Sequence, residues 1–217
     1  MPVGLVLKLN DILVLRQLQQ MGNAVNVFNT LNAIGNRLEE YVAQSFETRG
    51  RGKWPRLSWI TEVTRKHGGD MPLQDSGDYK GSWQRESDGR TFVAVGSSKK
   101  AGDSNIPLAA IHEFGTGTHG AGRGAYVIQV KNARVLAARL NRPIGWLSTG
   151  KMSGTKKSPG WIIFGTRVLH PGVPERPVLP TFAQAEQMAK EVAEALLGGA
   201  DVEEAGKDEG TDELGAV

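Results

Sequence analysis

The sequence predicts an α+β fold: a small antiparallel β-sheet packed with a long N-terminal and a C-terminal helix, joined by extended glycine- and proline-rich loops. Three observations carry this expectation. Apolar residues recur at three- and four-residue steps from Val27 to Phe46 and again from Phe182 to Leu196, the period of an amphipathic helix. Between them lie short runs rich in β-branched and aromatic residues, Thr91–Ser97, Ala125–Val130 and Trp161–Leu169, which read as strands. The connections are broken by glycines (Gly115, Gly117, Gly120, Gly122, Gly124) and by prolines (Pro171, Pro174, Pro177, Pro180), so no regular element is expected to run through either stretch.

In chain order, residues 1–23 form an N-terminal extension with a short strand or helix at 3–20. A helix follows at about 24–48, its inner face Val27, Leu31, Ile34, Leu38, Val42 and Phe46, closed by Arg49 against the helix dipole and Gly50 as a left-handed stop. Next comes a basic connection with Arg51, Lys53, Arg56, Arg65 and Lys66 around Trp54 and Trp59; both tryptophans read as core anchors. Ser58 caps a short helix ending at His67–Gly69, and Ser76 caps another turn. Leu108–Phe114 is apolar and expected to be anchored in the core, with the glycine loop after it mobile or ordered by a partner. Ala133–Ile144 is a short helix or irregular turn inside a loop insertion at about 119–170. Thr181-x-x-Gln184 is a capping box for the last helix, which Gly198–Gly199 ends. Residues 24–199 form one domain, and 200–217 a disordered acidic tail.

Charge is unevenly placed. The chain of 217 residues has a net charge of +3, yet Asp201–Val217 holds seven acidic residues against Lys207. The preceding 200 residues hold 25 basic and 16 acidic ones. A body this basic favours nucleic acid or an acidic protein surface. With no cysteine, disulfides, thiolate catalysis and thiolate zinc sites are excluded. The first fifteen residues lack the basic flank of a secretory signal, and no apolar run reaches the roughly 18 residues of a membrane helix. A soluble protein made in the cytoplasm is expected.

Several near-motifs fail on context. Gly115-x-Gly117-x-x-Gly120 has the letters of a dinucleotide fingerprint, but the pattern works by opening a helix, and here a strand follows. Gly145-x-x-x-x-Gly150-Lys151 resembles a phosphate loop with Met152 where a magnesium-binding hydroxyl belongs. His112–Glu113 has no second histidine four residues on, so it reads as a polar pair at a structural junction rather than a zinc-protease helix. Arg51, Lys53, Trp54 and Arg56 form the best candidate for DNA contact, with cations for phosphates and an indole for stacking.

The ordered series carries more than any one motif. After the helix ending in Phe46 come Trp54-x-x-Leu57-Ser58-x-x-Thr61, then Leu73-x-Asp75-Ser76-Gly77-x-Tyr79-x-x-Ser82, then Ala109-Ala110-Ile111-His112-Glu113-Phe114-Gly115. Pro174-Glu175-Arg176-Pro177 and a C-terminal helix complete it. Over about residues 25–197 this resembles the phage virion morphogenesis family, the tail completion proteins of Mu-like tailed phages. It is similar also to the related siphophage tail-component family of neck proteins. The chain departs from the pattern at Val178–Leu179, where an aromatic is more usual, and in the length of 119–170.

The resemblance implies a non-enzymatic structural protein without cofactor or metal, located in the virion at the head–tail neck and assembled in the host cytoplasm. It implies a homo-oligomeric ring, hexameric or twelve-fold, with neighbouring neck, portal-adaptor or tail tube proteins as partners and genomic DNA passing through the channel. Within it, Phe114 is expected to anchor the glycine loop. His112, Glu113, Phe114, Gly115, Gly117 and Arg123 are expected at subunit contacts, with Pro171, Pro174, Arg176 and Pro177. The alternatives are a DNA-binding module using the basic stretch 49–66 and, last, a hydrolase centred on His112–Glu113.

Overall fold

A computed structural model of the chain describes residues 3–8, 24–67, 69–102, 104–120, 124–131, 133–140 and 161–205. The elements run β1 (Val3–Lys8), α1 (Ala24–Glu47), α2 (Trp59–Thr64), α3 (Asp78–Gly81), β2 (Trp83–Ser87), β3 (Phe92–Ser97) and α4 (Leu108–Phe114). A 3-10 turn (Gly117–His119), β4 (Tyr126–Gln129), β5 (Leu136–Arg139), β6 (Trp161–Gly165), β7 (Arg167–His170) and α5 (Phe182–Ala205) complete the order. The fold is α+β: helices with one three-stranded sheet, β1-β3-β2, and two antiparallel two-stranded ribbons, β4–β7 and β5–β6.

The chain divides into two compact units. One comprises Met1–Gly4, Tyr41–Gln84 and Gly96–Leu179; the other comprises Leu5–Glu40, Arg85–Val95 and Pro180–Val217. Every residue of the α1 face anticipated from periodicity, Val27 through Phe46, is buried.

In the second unit, Asp88 holds the turn between β2 and β3. Its carboxylate accepts the backbone N–H groups of Arg90, Thr91 and Phe92 and the Thr91 hydroxyl. These bonds favour the charged form and pull its pKa well below the usual carboxylate range. Helix α5 opens with the expected reciprocal box. Gln184 N–H donates to Thr181 Oγ1 (3.3 Å), and Thr181 N–H to Gln184 Oε1 (3.0 Å). Its buried stripe is Ala185, Ala189 and Ala193, while Phe182 and Leu196, expected on that face, are exposed. The helix continues past Gly198–Gly199 to Ala205, because glycine lowers helix propensity without forbidding helical backbone.

In the first unit, an aromatic chain forms the core. Phe46 meets Trp54 and Tyr79 edge to face, each at 5.8 Å between centroids. Tyr79 continues to Trp83 at 5.9 Å and to His112 at 5.4 Å. Such contacts add about 0.5–1.5 kcal/mol each beyond burial. Trp54 is brought under the end of α1 by a left-handed turn, in which Arg49, Gly50, Arg51 and Gly52 all have positive φ. L-residues there cost about 1–2 kcal/mol each, and specific contacts offset this cost. Arg51 donates to Ser45 Oγ (2.8 Å) and Tyr41 O (3.1 Å) and lies 3.4 Å over the Tyr41 ring. Arg49 bonds to Asp70 and to Met71 Sδ.

Other sequence expectations are corrected or refined. Ser58 caps α2 as anticipated, accepting from Thr61 N–H, but the helix stops at Thr64. Gly77, with φ +81°, holds the cap position of α3, and Ser76 Oγ receives Asp78 N–H one place earlier. Trp59 is 50% exposed rather than core. The single strand anticipated over 161–169 is two, divided after Gly165. The stretch 133–144 contains strand β5, because Leu136–Arg139 pairs with β6, a partner remote in sequence.

Gly50 is the tightest point of the turn: its φ is +62°, and a Cβ there would fall on the Trp54 indole. Gly50→Ala should therefore destabilise the chain by about 3 kcal/mol, combining left-handed strain with overpacking. Urea unfolding followed by tryptophan fluorescence measures this.

Candidate binding site

The arm from Pro171 to Pro180 has four residues without an N–H and cannot pair as an ordinary strand. The N–H groups of Gly172, Val173, Arg176, Val178 and Leu179 are met by side chains and a carbonyl of the first unit. Gly172 N–H donates to His170 Nδ1 (3.0 Å), and Val173 N–H to Thr116 Oγ1 (2.8 Å). Arg176 N–H donates to the His112 carbonyl (2.6 Å). Val178 and Leu179 N–H both converge on Glu113 Oε1, at 2.7 and 3.2 Å. In return Thr116 N–H donates to Val173 O and Thr118 N–H to Pro171 O. Trp54 Nε1–H completes the anchorage on Pro177 O at 2.9 Å.

The glycine segment makes this approach possible. Gly117 is buried with φ +62°, and a Cβ there would overlap Pro171 O. The described part of the glycine stretch, Gly115–Gly120, and the proline arm are thus bonded to each other within one chain. His112, Glu113, Gly115, Gly117, Pro171, Pro174 and Arg176 are brought together within one chain. Arg123 lies outside the described residues, as does the phosphate-loop resemblance at 145–151. Gly115–Gly120 follows a helix and enters a 3-10 turn, not the strand-to-helix junction of a dinucleotide site.

Phe114 is a correction. On α4, Ala109, His112 and Glu113 share the inward face, and the helical phase carries Phe114 away from it, leaving it 66% exposed. The basic stretch also divides. Trp54 is inside the core, and Arg51 is spent on the end of α1. Lys53 and Arg56 remain exposed.

Beside the arm is a cavity of about 1020 Å³, walled by α2, α4, the arm and residues of both ribbons. Its apolar lining includes Leu57, Ile60, Leu73, Leu136 and Phe164, and its polar groups include Arg65, Asp75, Tyr79, His112 and Arg176. Arg65 is a satisfied buried arginine: it donates to Gly69 O and Met71 O and faces Asp75 at 3.5 Å. Arg176 differs. It is 6% exposed, its Nε–H has no partner among the described residues, and its Nη2 makes a long, 3.5 Å contact to Pro55 O. Among the described residues His112 Nδ1 and the Tyr79 O–H, also out of solvent, have no acceptor or donor of their own, although the Trp83 indole N–H lies beside Tyr79 Oη. None of these three was singled out for the cavity by sequence reasoning, since Tyr79, His112 and Arg176 are far apart in the chain. An arginine held between prolines was the one available signal.

Burial, and then the Arg176 charge, push His112 down to about 4, so its imidazole is neutral at pH 7. Burial raises the Glu113 carboxyl against the lowering effect of its two backbone donors. Burial also raises the Tyr79 phenol and lowers Arg176. With both bonds on Oε1, Glu113 serves as a structural acceptor rather than a free base. Among the described residues, no group of three or more His, Asp or Glu is placed to hold a metal ion, and no helix is long and apolar enough to cross a membrane.

Comparison with family models, curated proteins and solved structures found no match.

Glu113→Ala strands two partly buried N–H groups and should cost about 2–3 kcal/mol, at roughly 1–3 kcal/mol per fully buried group. Glu113→Gln keeps an oxygen in place and should stay within about 1 kcal/mol of the parent by urea unfolding. Acid acts oppositely on the two neighbours. Raised in the folded chain, Glu113 favours folding as pH falls. His112, lowered from its ordinary 6.5 to about 4, contributes fully above 6.5 and loses that contribution as pH falls toward 4. In a Glu113→Gln background, stability should drop between pH 7 and about 4.5, and adding His112→Phe should flatten that drop.

Proposed function

We propose that this chain is a structural virion protein of a tailed phage, acting at the head–tail neck as a tail completion, terminator or connector protein through ring-forming contacts between copies. The observation that carries this reading is the pair of apolar ribbons left exposed among the described residues. In β4–β7 the directly opposed Val127 and Leu169 are 50% and 68% exposed. In β5–β6, Trp161 and Ile163 are exposed as well. Two-stranded sheets are marginal by themselves in water, and contiguous exposed apolar surface marks an interaction site. A second copy would cover these ribbons, and Phe114 offers a further apolar contact. The ordered motifs that resemble the virion morphogenesis family supply the neck location. The clamp between α4 and the proline arm supports it by giving those motifs one shared structural task.

On this reading the ribbons and Phe114 make the contacts between copies, with the glycine and proline segments as their scaffold. The exposed position of Phe114 makes a clean test. Phe114→Asp should leave the thermal midpoint of the purified chain unchanged, because the side chain is already in water. In phage particles carrying it, capsids and tails should form normally and fail to join. Joined, infectious particles would refute the role. Val127→Lys with Leu169→Glu should likewise keep the fold and abolish self-association in sedimentation.

A further inference from the structure

The cavity beside the proline arm holds a charge that the described residues do not neutralise. Arg176 is more than nine-tenths buried and forms no ion pair among them. A buried guanidinium without a counter-charge is costly, and a buried hydroxyl without a partner adds to that cost. Tyr79 Oη, in the same cavity and equally buried, lies beside the Trp83 indole N–H, and its own O–H has no acceptor among the described residues. Both groups donate hydrogen bonds, and a carboxylate accepts them in the geometry that a guanidinium fork favours. Around them the walls are apolar, through Leu57, Leu136 and Phe164. An occupant that satisfies both parts carries a carboxylate next to an apolar side chain. The volume, about 1020 Å³, suits a short peptide more than an isolated ion.

The chain contains a segment of that chemistry. Asp208–Leu214 carries Asp208, Glu209, Asp212 and Glu213, with Leu214 directly after the last. It follows α5 and lies outside the described residues. We propose that the cavity is a carboxylate-receiving site and that its occupant is the acidic segment Asp208–Leu214 of a second copy. Taking the donor as a second copy rests on the ring-forming function proposed above. Charge complementarity favours the pairing, since the body of the chain is strongly basic and the segment strongly acidic. A nucleic-acid phosphate fits less well. Backbone recognition works through exposed cations along a surface, whereas Arg176 is buried among apolar walls.

The test uses a fluorescein-labelled peptide of residues 206–217. The receptor is the full chain carrying Asp208→Asn, Glu209→Gln, Asp212→Asn and Glu213→Gln, so its own segment does not compete. Anisotropy should show saturable binding. Tyr79→Phe, which keeps the ring packing, should weaken it about tenfold, the worth of one hydrogen bond to a charged group. Arg176→Leu should weaken it further, and a peptide with the same four neutral substitutions should not bind. Lys53→Gln, an exposed cation away from the cavity, should change nothing. No saturable binding, equal binding of the neutral peptide, or indifference to Tyr79→Phe in a receptor of normal circular dichroism would overturn the proposal. So would displacement by a single-stranded oligonucleotide as effective as by unlabelled peptide. Sedimentation of the same neutralised chain separates the two claims: self-association without peptide binding removes this site and leaves the ribbon interface standing.

Discussion

The bonds that Glu113 Oε1 accepts from Val178 and Leu179 are the constraint on which the rest of the first unit depends. An arm with prolines at 171, 174, 177 and 180 cannot organise itself by backbone pairing, so its few donors need acceptors fixed elsewhere. Helix α4 and the glycine turn provide them: Glu113 for Val178 and Leu179, the His112 carbonyl for Arg176 and Thr116 for Val173. Once the arm is held, Pro177 O can receive the Trp54 indole, and Val178 and Arg176 are buried. The left-handed turn after α1 is the complementary half of that arrangement, since it delivers Trp54 to the same place. A glycine- and proline-rich sequence thereby forms a core without a regular element crossing it.

That arrangement explains which parts were legible in the sequence. Helix α1 was, because its period is local and its inner residues are large; so were the Ser58 and Thr181 caps, whose partners are three residues away. The ribbons were legible only as strand-like runs. Strand β5 owes its conformation to β6, and Leu136–Arg139 carries no period-two apolar signal that would reveal it. Phe114 looked like an anchor because it closes an apolar run, but one helical step past Glu113 turns it to solvent. Gly50 was legible as a left-handed stop, whereas Arg51 stood among the candidate phosphate contacts. Positive φ at Arg49, Arg51 and Gly52 as well, invisible in composition, folds both arginines back onto the chain.

The candidate site was the least legible part, for a physical reason. Its decisive groups come from a short helix turn, a helix end and the arm, and only the clamp makes them neighbours. What the sequence did show was an imbalance, a basic body followed by an acidic segment, and the structure sharpens it to an unneutralised Arg176 in an apolar cavity. The same first unit carries the exposed ribbons. A chain whose buried polar groups and exposed apolar strands both await contacts is suited to assembly, and the proposed neck function gives both features one explanation.

The most direct measurement of that account is the mass of the purified full chain by light scattering across a concentration series, by itself and mixed with isolated tails. Closed contacts between copies predict a discrete hexameric or twelve-fold species whose share grows with concentration or on addition of tails. A monomer under every one of these conditions would contradict the ring-forming function.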